Sequence, residues 1–185
     1  EPLIYEINNF LNDTECNHII KISENNLRKS VVGNYNYQRE SKVRTSSTYF
    51  LRIMNDDITF KIFKKISSLL EKPGRNFDNF FQVCKYNETQ KYEPHCDPSI
   101  MKNNKFGILH RKFTVICYLT DVEEGGETEF VNLGIKVIPK KGKLLYFDNY
   151  NNKNKVEIKS KHYAKPVLKG EKWIFKLWYS DKDYY

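Results

Sequence analysis

His95-Cys96-Asp97, joined far along the chain by His162, brings together residue types that bind metals. In an extended strand, residues i and i+2 point to one face. His95 and Asp97 would therefore offer an imidazole and a carboxylate to one point, with Cys96 on the opposite face. An imidazole from a distant strand would complete a two-His, one-carboxylate face. That ligand set leaves half the coordination sphere open and suits non-haem Fe(II) oxygen chemistry. A bare His-x-Asp also arises from structural hydrogen bonding, so the residues around it must decide.

Downstream of His162 runs Gly170-Glu171-Lys172-Trp173, and then Ile174-Phe175-Lys176-Leu177-Trp178, whose alternation reads as a strand. A lysine buried beside an iron pocket needs a counter-charge, because a desolvated ammonium is costly alone. A dicarboxylate co-substrate would supply it at Lys172. The plainer alternative is a solvated lysine on an edge strand. Upstream, Phe80 to Tyr86 reads as a strand, and Tyr92-Glu93-Pro94 leads into the His-x-Asp. Arg111 to Thr120 is a β-rich apolar strand. Glu123-Glu124-Gly125-Gly126 is a turn whose glycines are free to take positive φ, and Glu127-Thr128-Glu129-Phe130 begins a new strand.

These segments resemble the collagen-type prolyl 4-hydroxylases, a family of 2-oxoglutarate-dependent, Fe(II) dioxygenases. The resemblance runs in the family's order through Val43-Arg44-Thr45-Ser46-Ser47, Tyr92 to Asp97, Tyr118 to Thr128, Pro139-Lys140-Lys141-Gly142, and His162 to Trp178. It implies Fe(II) ligation by His95, Asp97 and His162. It implies that Lys172 pairs with the distal carboxylate of 2-oxoglutarate, assisted by Tyr86 and Thr128, with Tyr118 facing the same pocket. Tyr92, Arg111 and Trp178 match positions lining a peptide groove, and Arg44 to Ser47 sits where the family folds a mobile segment over substrate. The implied cofactors are Fe(II), 2-oxoglutarate, O2 and L-ascorbate. The implied reaction converts 2-oxoglutarate to succinate and CO2 while hydroxylating proline in a proline-rich or collagen-like peptide. One departure stands out: the family often carries a histidine two residues after Trp178, and here Ser180 occupies it.

Two rival readings remain open. One is an oxygenase acting on another residue or on a free amino acid. The other is a proline-rich peptide-binding module without turnover. Lysine at 172 weighs against the first, since many relatives outside this group use arginine there, and the complete triad weighs against the second.

The chain's 185 residues suit one domain, 1–185, with residues 1–78 as helical and strand support and 79–185 as the core. The net charge of +8 could attract an acidic partner, but the lysines are dispersed and no basic block is interleaved with aromatics, so no nucleic acid is expected. No eighteen-residue apolar stretch exists, so no membrane segment is expected in this chain, and a monomer is favoured. Cys16, Cys84, Cys96 and Cys117 form no Cys-x-x-Cys pair, which argues against a zinc cluster. Cys84 and Cys117 fall in apolar strand patterns and are expected to be buried. The compartment stays open between the endoplasmic reticulum lumen and the cytoplasm, and the start at Glu1-Pro2-Leu3 is compatible with a trimmed N-terminus.

Two helices are expected to position the sheet. Asn12-Asp13-Thr14 can cap one that carries Cys16, Ile19, Ile20 and Ile22. Asn55-Asp56-Asp57 can cap a second, with Ile58, Ile62, Ile66, Leu69 and Leu70 along one stripe, ended by Pro73-Gly74. After residue 78 the short strands and turns point to an α+β, mainly β fold: a jelly roll, or double-stranded β-helix, with N-terminal supporting helices. The polar stretches Pro98 to Leu109 and Asn149 to Lys161 are expected as rims of the site.

Overall fold

A computed structural model describes residues 1–34, 37–97, 101–103 and 107–180. Its strands, in chain order, are β1 (Ile4–Ile7), β2 (Arg28–Lys29), β3 (Val31–Asn34), β4 (Tyr37–Glu40), β5 (Ser47–Arg52), β6 (Phe80–Tyr86), β7 (Tyr92–His95), β8 (Met101–Asn103), β9 (Gly107–Leu109), β10 (Arg111–Tyr118), β11 (Glu124–Gly125), β12 (Thr128–Phe130), β13 (Ile135–Val137), β14 (Leu144–Asp148), β15 (His162–Ala164), β16 (Val167–Lys169) and β17 (Lys172–Ser180). The helices are α1 (Asp13–Ser23) and α2 (Asp57–Leu69).

Both helices begin where their capping residues dictate. Asn12 accepts from the Glu15 amide while Glu15 reaches back to the Asn12 amide, and Asp56 and Thr59 make the same reciprocal pair ahead of α2. The second helix stops before Pro73-Gly74. Leu70 is its C-cap, and Glu71 turns left-handed at φ 50°, so the Glu71 and Lys72 amides fold back onto Ser68 and Ser67.

A seven-stranded sheet in the order β1-β14-β10-β17-β6-β5-β2 faces a four-stranded sheet, β13-β12-β15-β7. This is the double-stranded β-helix. The N-terminal residues add three strands (β1, β2 and β5) to the larger sheet, as well as the helices.

Strand alternation divides the large sheet into two faces. Phe81, Val83, Val115, Cys117, Trp173, Phe175 and Leu177 pack outward with Cys16, Ile19, Ile62, Phe63 and Ile66 of the helices. Cys84, Tyr86, Ile116, Tyr118, Leu145, Phe147 and Ile174 point inward to Phe130, Val137 and Ala164 of the smaller sheet. Lys172, Lys176 and Trp178 share the parity of Ile174 and so face the interior, where the large and small sheets meet. The Pro98–Leu109 stretch contains the β8–β9 hairpin, and its residues 98–100 and 104–106 lie outside the described ones.

Candidate metal centre

Pairing of β15 with β7 sets His162 directly across from His95. Asp97 follows β7 by two residues, and the ligand atoms of His95, Asp97 and His162 all lie within 4.8 Å of one another. His95 Nε2 stands 3.6 Å and His162 Nε2 3.8 Å from the same Asp97 oxygen, Oδ1. Asp97 and His162 are buried. Tyr92 stacks on the His95 ring at 3.6 Å, and Phe147 closes over His162 at 4.8 Å.

The hydrogen bonds around the three residues fit a metal. His95 Nδ1 meets the Glu93 carbonyl at 2.8 Å, and His162 Nδ1 meets the Ser160 carbonyl at 3.1 Å. A carbonyl only accepts, so each Nδ1 carries the proton and each Nε2 presents a lone pair inward. His95 Nε2 is buried with no hydrogen-bond partner among the described residues. Burial, with His95 alongside, pushes His162 down to about 3, so its imidazole is neutral. On Asp97, burial raises the carboxyl, but the neighbouring histidines and Lys176 outweigh it and hold the group well below the usual range. Two imidazoles and an ionised carboxylate converging on one point could hold a divalent cation and leave positions open.

Asp97 is also fixed from behind. Its Oδ2 accepts from Thr114 Oγ1 at 2.8 Å and from Trp178 Nε1 at 3.0 Å, which leaves Oδ1 for the centre. Asn149 Nδ2 in turn donates to Thr114 Oγ1 at 2.8 Å. Asn149, at the start of a stretch expected to be a rim, is thus buried beneath the ligand.

Lys172 is 0% exposed. Its Nζ donates to the Gly126 carbonyl at 2.6 Å and lies 4.8 Å from the Tyr86 ring, its partner across β6 and β17. Desolvation pushes its pKa down to about 7. Tyr118 donates to Thr128 at 2.7 Å in the same interior. Burial raises both Tyr86 and Tyr118, so both phenols are neutral. The turn that presents Gly126 requires glycine at 125: at φ 76°, an added Cβ would sit 2.5 Å from the Pro166 carbonyl oxygen.

The four residues expected to contact a peptide form two stacked pairs beside the triad. Arg44 lies over the Tyr92 ring at 5.0 Å, and Arg111 over the Trp178 ring at 3.7 Å. Trp178 therefore holds Asp97 with its N–H while offering its ring to Arg111. The segment carrying Arg44 is docked along the edge of β7, where the Thr45 amide bonds to Lys91 and the Glu93 amide to Val43. Arg44 and Ser46 are buried.

Three contributors were not singled out from the sequence: Thr114, Asn149 and Lys176. Counting in twos from Tyr118 reaches Thr114, and counting in twos from Lys172 reaches Lys176, so strand parity alone could have found those two. No such signal marks Asn149.

Residues 81–180 match the family model described as the 2OG-Fe(II) oxygenase superfamily. The chain belongs to that superfamily. Its enzymes are 2-oxoglutarate- and Fe(II)-dependent dioxygenases. Over 97% of this oxygenase's length, it is 34% identical to prolyl 4-hydroxylase 5 of Arabidopsis thaliana, covering 68% of that protein. It is also 34% identical to probable prolyl 4-hydroxylase 7 of the same plant, over 99% of the chain and 64% of the relative. The chain thus spans about two thirds of these relatives. Among solved structures it resembles the 2OG complex of the viral collagen prolyl hydroxylase from Paramecium Bursaria Chlorella virus-1. That match has a TM-score of 0.77 and 29% identity, and it covers 96% of this chain and 95% of that one.

Proposed function

We propose that this oxygenase is a peptidyl-proline 4-hydroxylase, with His95, Asp97 and His162 as its Fe(II) ligands and L-ascorbate as its reductant. The observation that carries the reading is Lys172, an ammonium buried in the same interior as the triad, with a carbonyl as its hydrogen-bond acceptor and no carboxylate within ion-pair distance among the described residues. A buried cation in that state has a strong demand for an anion. The distal carboxylate of 2-oxoglutarate answers it with a charge-assisted bond. Tyr86, Tyr118 and Thr128 supply neutral hydroxyls around it. Likeness to proline-hydroxylating relatives over nearly the full chain supports proline as the target.

The chain's own residues position and exclude. The two Nδ1–carbonyl bonds hold the imidazoles in the ligating tautomer, and Thr114 and Trp178 aim the carboxylate. Tyr92, Arg111 and Trp178 form an aromatic and cationic wall for an extended proline-rich peptide, which is already ordered as polyproline II. The docked Arg44 segment closes that wall and limits water. Bound Fe(II) would supply the O2 activation that couples decarboxylation of 2-oxoglutarate to succinate and CO2 with insertion of one oxygen at a proline C–H bond.

The test incubates the protein with Fe(II), L-ascorbate, 2-oxoglutarate and proline-rich or collagen-like peptides. The expected product is a peptide one oxygen heavier, with the oxygen on proline C4. Oxygen found on another residue, or succinate release that proline peptides never stimulate, would reject the assignment.

A further inference from the structure

Lys176 is a second buried lysine on the inner face of β17, and the pull of its charge on Asp97 is the only task the site described above gives it. It is 4% exposed. No oxygen among the described residues accepts a hydrogen bond from its Nζ, whose neighbours are two rings: Tyr92 at 5.7 Å and Trp178 at 5.1 Å. Cation–π contact offsets only part of the cost of taking an ammonium out of water. Other positive charge surrounds it. Arg44 lies against the same Tyr92 ring and Arg111 against the same Trp178 ring. Arg44 donates to Thr48, Gln82 and the Cys84 sulfur, and Arg111 stands 3.8 Å from Asp78. Even so, Nε of each guanidinium is buried without a partner among the described residues.

Asp97 acts on Lys176 through space but makes no hydrogen bond to its Nζ. Its Oδ2 is occupied by Thr114 and Trp178, and its Oδ1 faces the histidines. Lys172 and Lys176 lie four residues apart on one face of β17 and repel each other, so Lys176 adds a second positive charge to the demand for an anion in this interior. Among the described residues the cationic wall therefore has an unmet demand of its own.

We propose that Lys176, flanked by Arg44 and Arg111, is a binding point for a carboxylate carried by the substrate peptide, and that it selects targets with an acidic residue beside the reacting position. The proposal rests on the peptide-hydroxylase reading above. A peptide source is favoured over the co-substrate's metal-proximal carboxylate because Lys176 touches Tyr92 and Trp178, the wall assigned to the peptide, whereas Lys172 sits at Tyr86. It follows from Nζ having no hydrogen-bond acceptor among the described residues.

The experiment uses the full chain loaded with Mn(II) and 2-oxoglutarate in the absence of O2, so that binding is read without turnover. Blocked proline-rich peptides carrying Asp or Asn on either side of the proline are titrated in, alongside versions with Ala in place of the proline. Intrinsic tryptophan fluorescence reports binding, since Trp178 stands beside Nζ. The Asp peptide should bind about tenfold or more tightly than its Asn twin, as expected for a charge-assisted contact. Lys176→Met should abolish that preference, and Lys176→Arg should retain it. The melting temperature of Lys176→Met should rise or hold, because an unpaired ammonium leaves the interior. Lys176→Gln replaces it should the methionine variant fail to fold. Equal affinity for Asp and Asn peptides, a preference that survives Lys176→Met, or no binding of any peptide would each overturn the proposal. Loss of 2-oxoglutarate affinity in Lys176→Met would also overturn it and assign the lysine to the co-substrate. Failure of proline hydroxylation is read separately by mass, and the Ala peptides keep the carboxylate measurement independent of it.

Discussion

Trp178 donates its indole N–H to Oδ2 of Asp97 at 3.0 Å, from a ring whose face carries Arg111. A residue expected to line a groove thus also orients the Asp97 carboxylate. Removing the N–H while keeping the ring separates the two roles. Trp178→Phe should weaken Mn(II) binding by about 10–100-fold, the usual effect of losing an outer-shell partner. Its melting temperature should change little. Isothermal titration with Mn(II) beside a thermal melt decides it: unchanged affinity with a large loss of stability would make Trp178 a packing residue alone.

His95→Ala, Asp97→Ala and His162→Ala should each lower turnover below about a hundredth of wild type, about 3 kcal/mol in the barrier. The Mn(II) titration should fall with it, while circular dichroism stays that of the folded chain. A variant keeping more than about a tenth of the rate would remove its residue from the ligand set.

Lys172, held at about 7 by desolvation, gives two linked pH effects. The folded pKa lies below the unfolded one, so the penalty is full below pH 7. It shrinks as pH rises towards the ordinary lysine value of 10.5. Lys172→Met should therefore stabilise the diacid-free protein at pH 6–7, by up to about 5 kcal/mol, and the gain should fade at higher pH. For 2-oxoglutarate the sign is opposite, because only the ammonium pairs with it. Wild-type affinity should fall by up to about tenfold per pH unit above about 7, and the methionine variant should show no such slope. Calorimetry across pH checks both.

Gly125→Ala should destabilise by about 1–3 kcal/mol, since it sets a Cβ 2.5 Å from the Pro166 oxygen at positive φ. The displaced turn carries Gly126, so 2-oxoglutarate affinity should fall too. Chemical denaturation and calorimetry measure the two effects, and a fall in stability alone would detach the turn from the Lys172 site.

Where the sequence was legible, local rules were sufficient. Asn12–Glu15 and Asp56–Thr59 cap the helices by reciprocal bonds that are encoded three residues apart. Phe80–Tyr86 and Lys172–Ser180 follow apolar alternation, and they became β6 and β17. The triad was readable from the His-x-Asp spacing, although only His95 lies in β7 and Asp97 follows it in a bend. Long-range contacts were not readable. Val43 to Thr45 docks beside β7 through backbone bonds and the Thr45 hydroxyl, contacts across at least 46 positions that no local pattern encodes. Asn149 reaches Thr114 across 35 positions. The early end of α2 depends on Glu71 turning left-handed, which its residue type does not announce.

The three triad residues differ in what holds them. Each imidazole is oriented by a main-chain carbonyl two residues before it in its own segment, Glu93 for His95 and Ser160 for His162. No side-chain replacement elsewhere can delete a carbonyl. The carboxylate instead leans on Thr114 and Trp178, both of which a single codon change can remove. Genetic drift away from the ligands themselves should therefore erode this centre from its aspartate side, and long-range suppressors of a weakened centre should cluster around Asp97 rather than around either histidine.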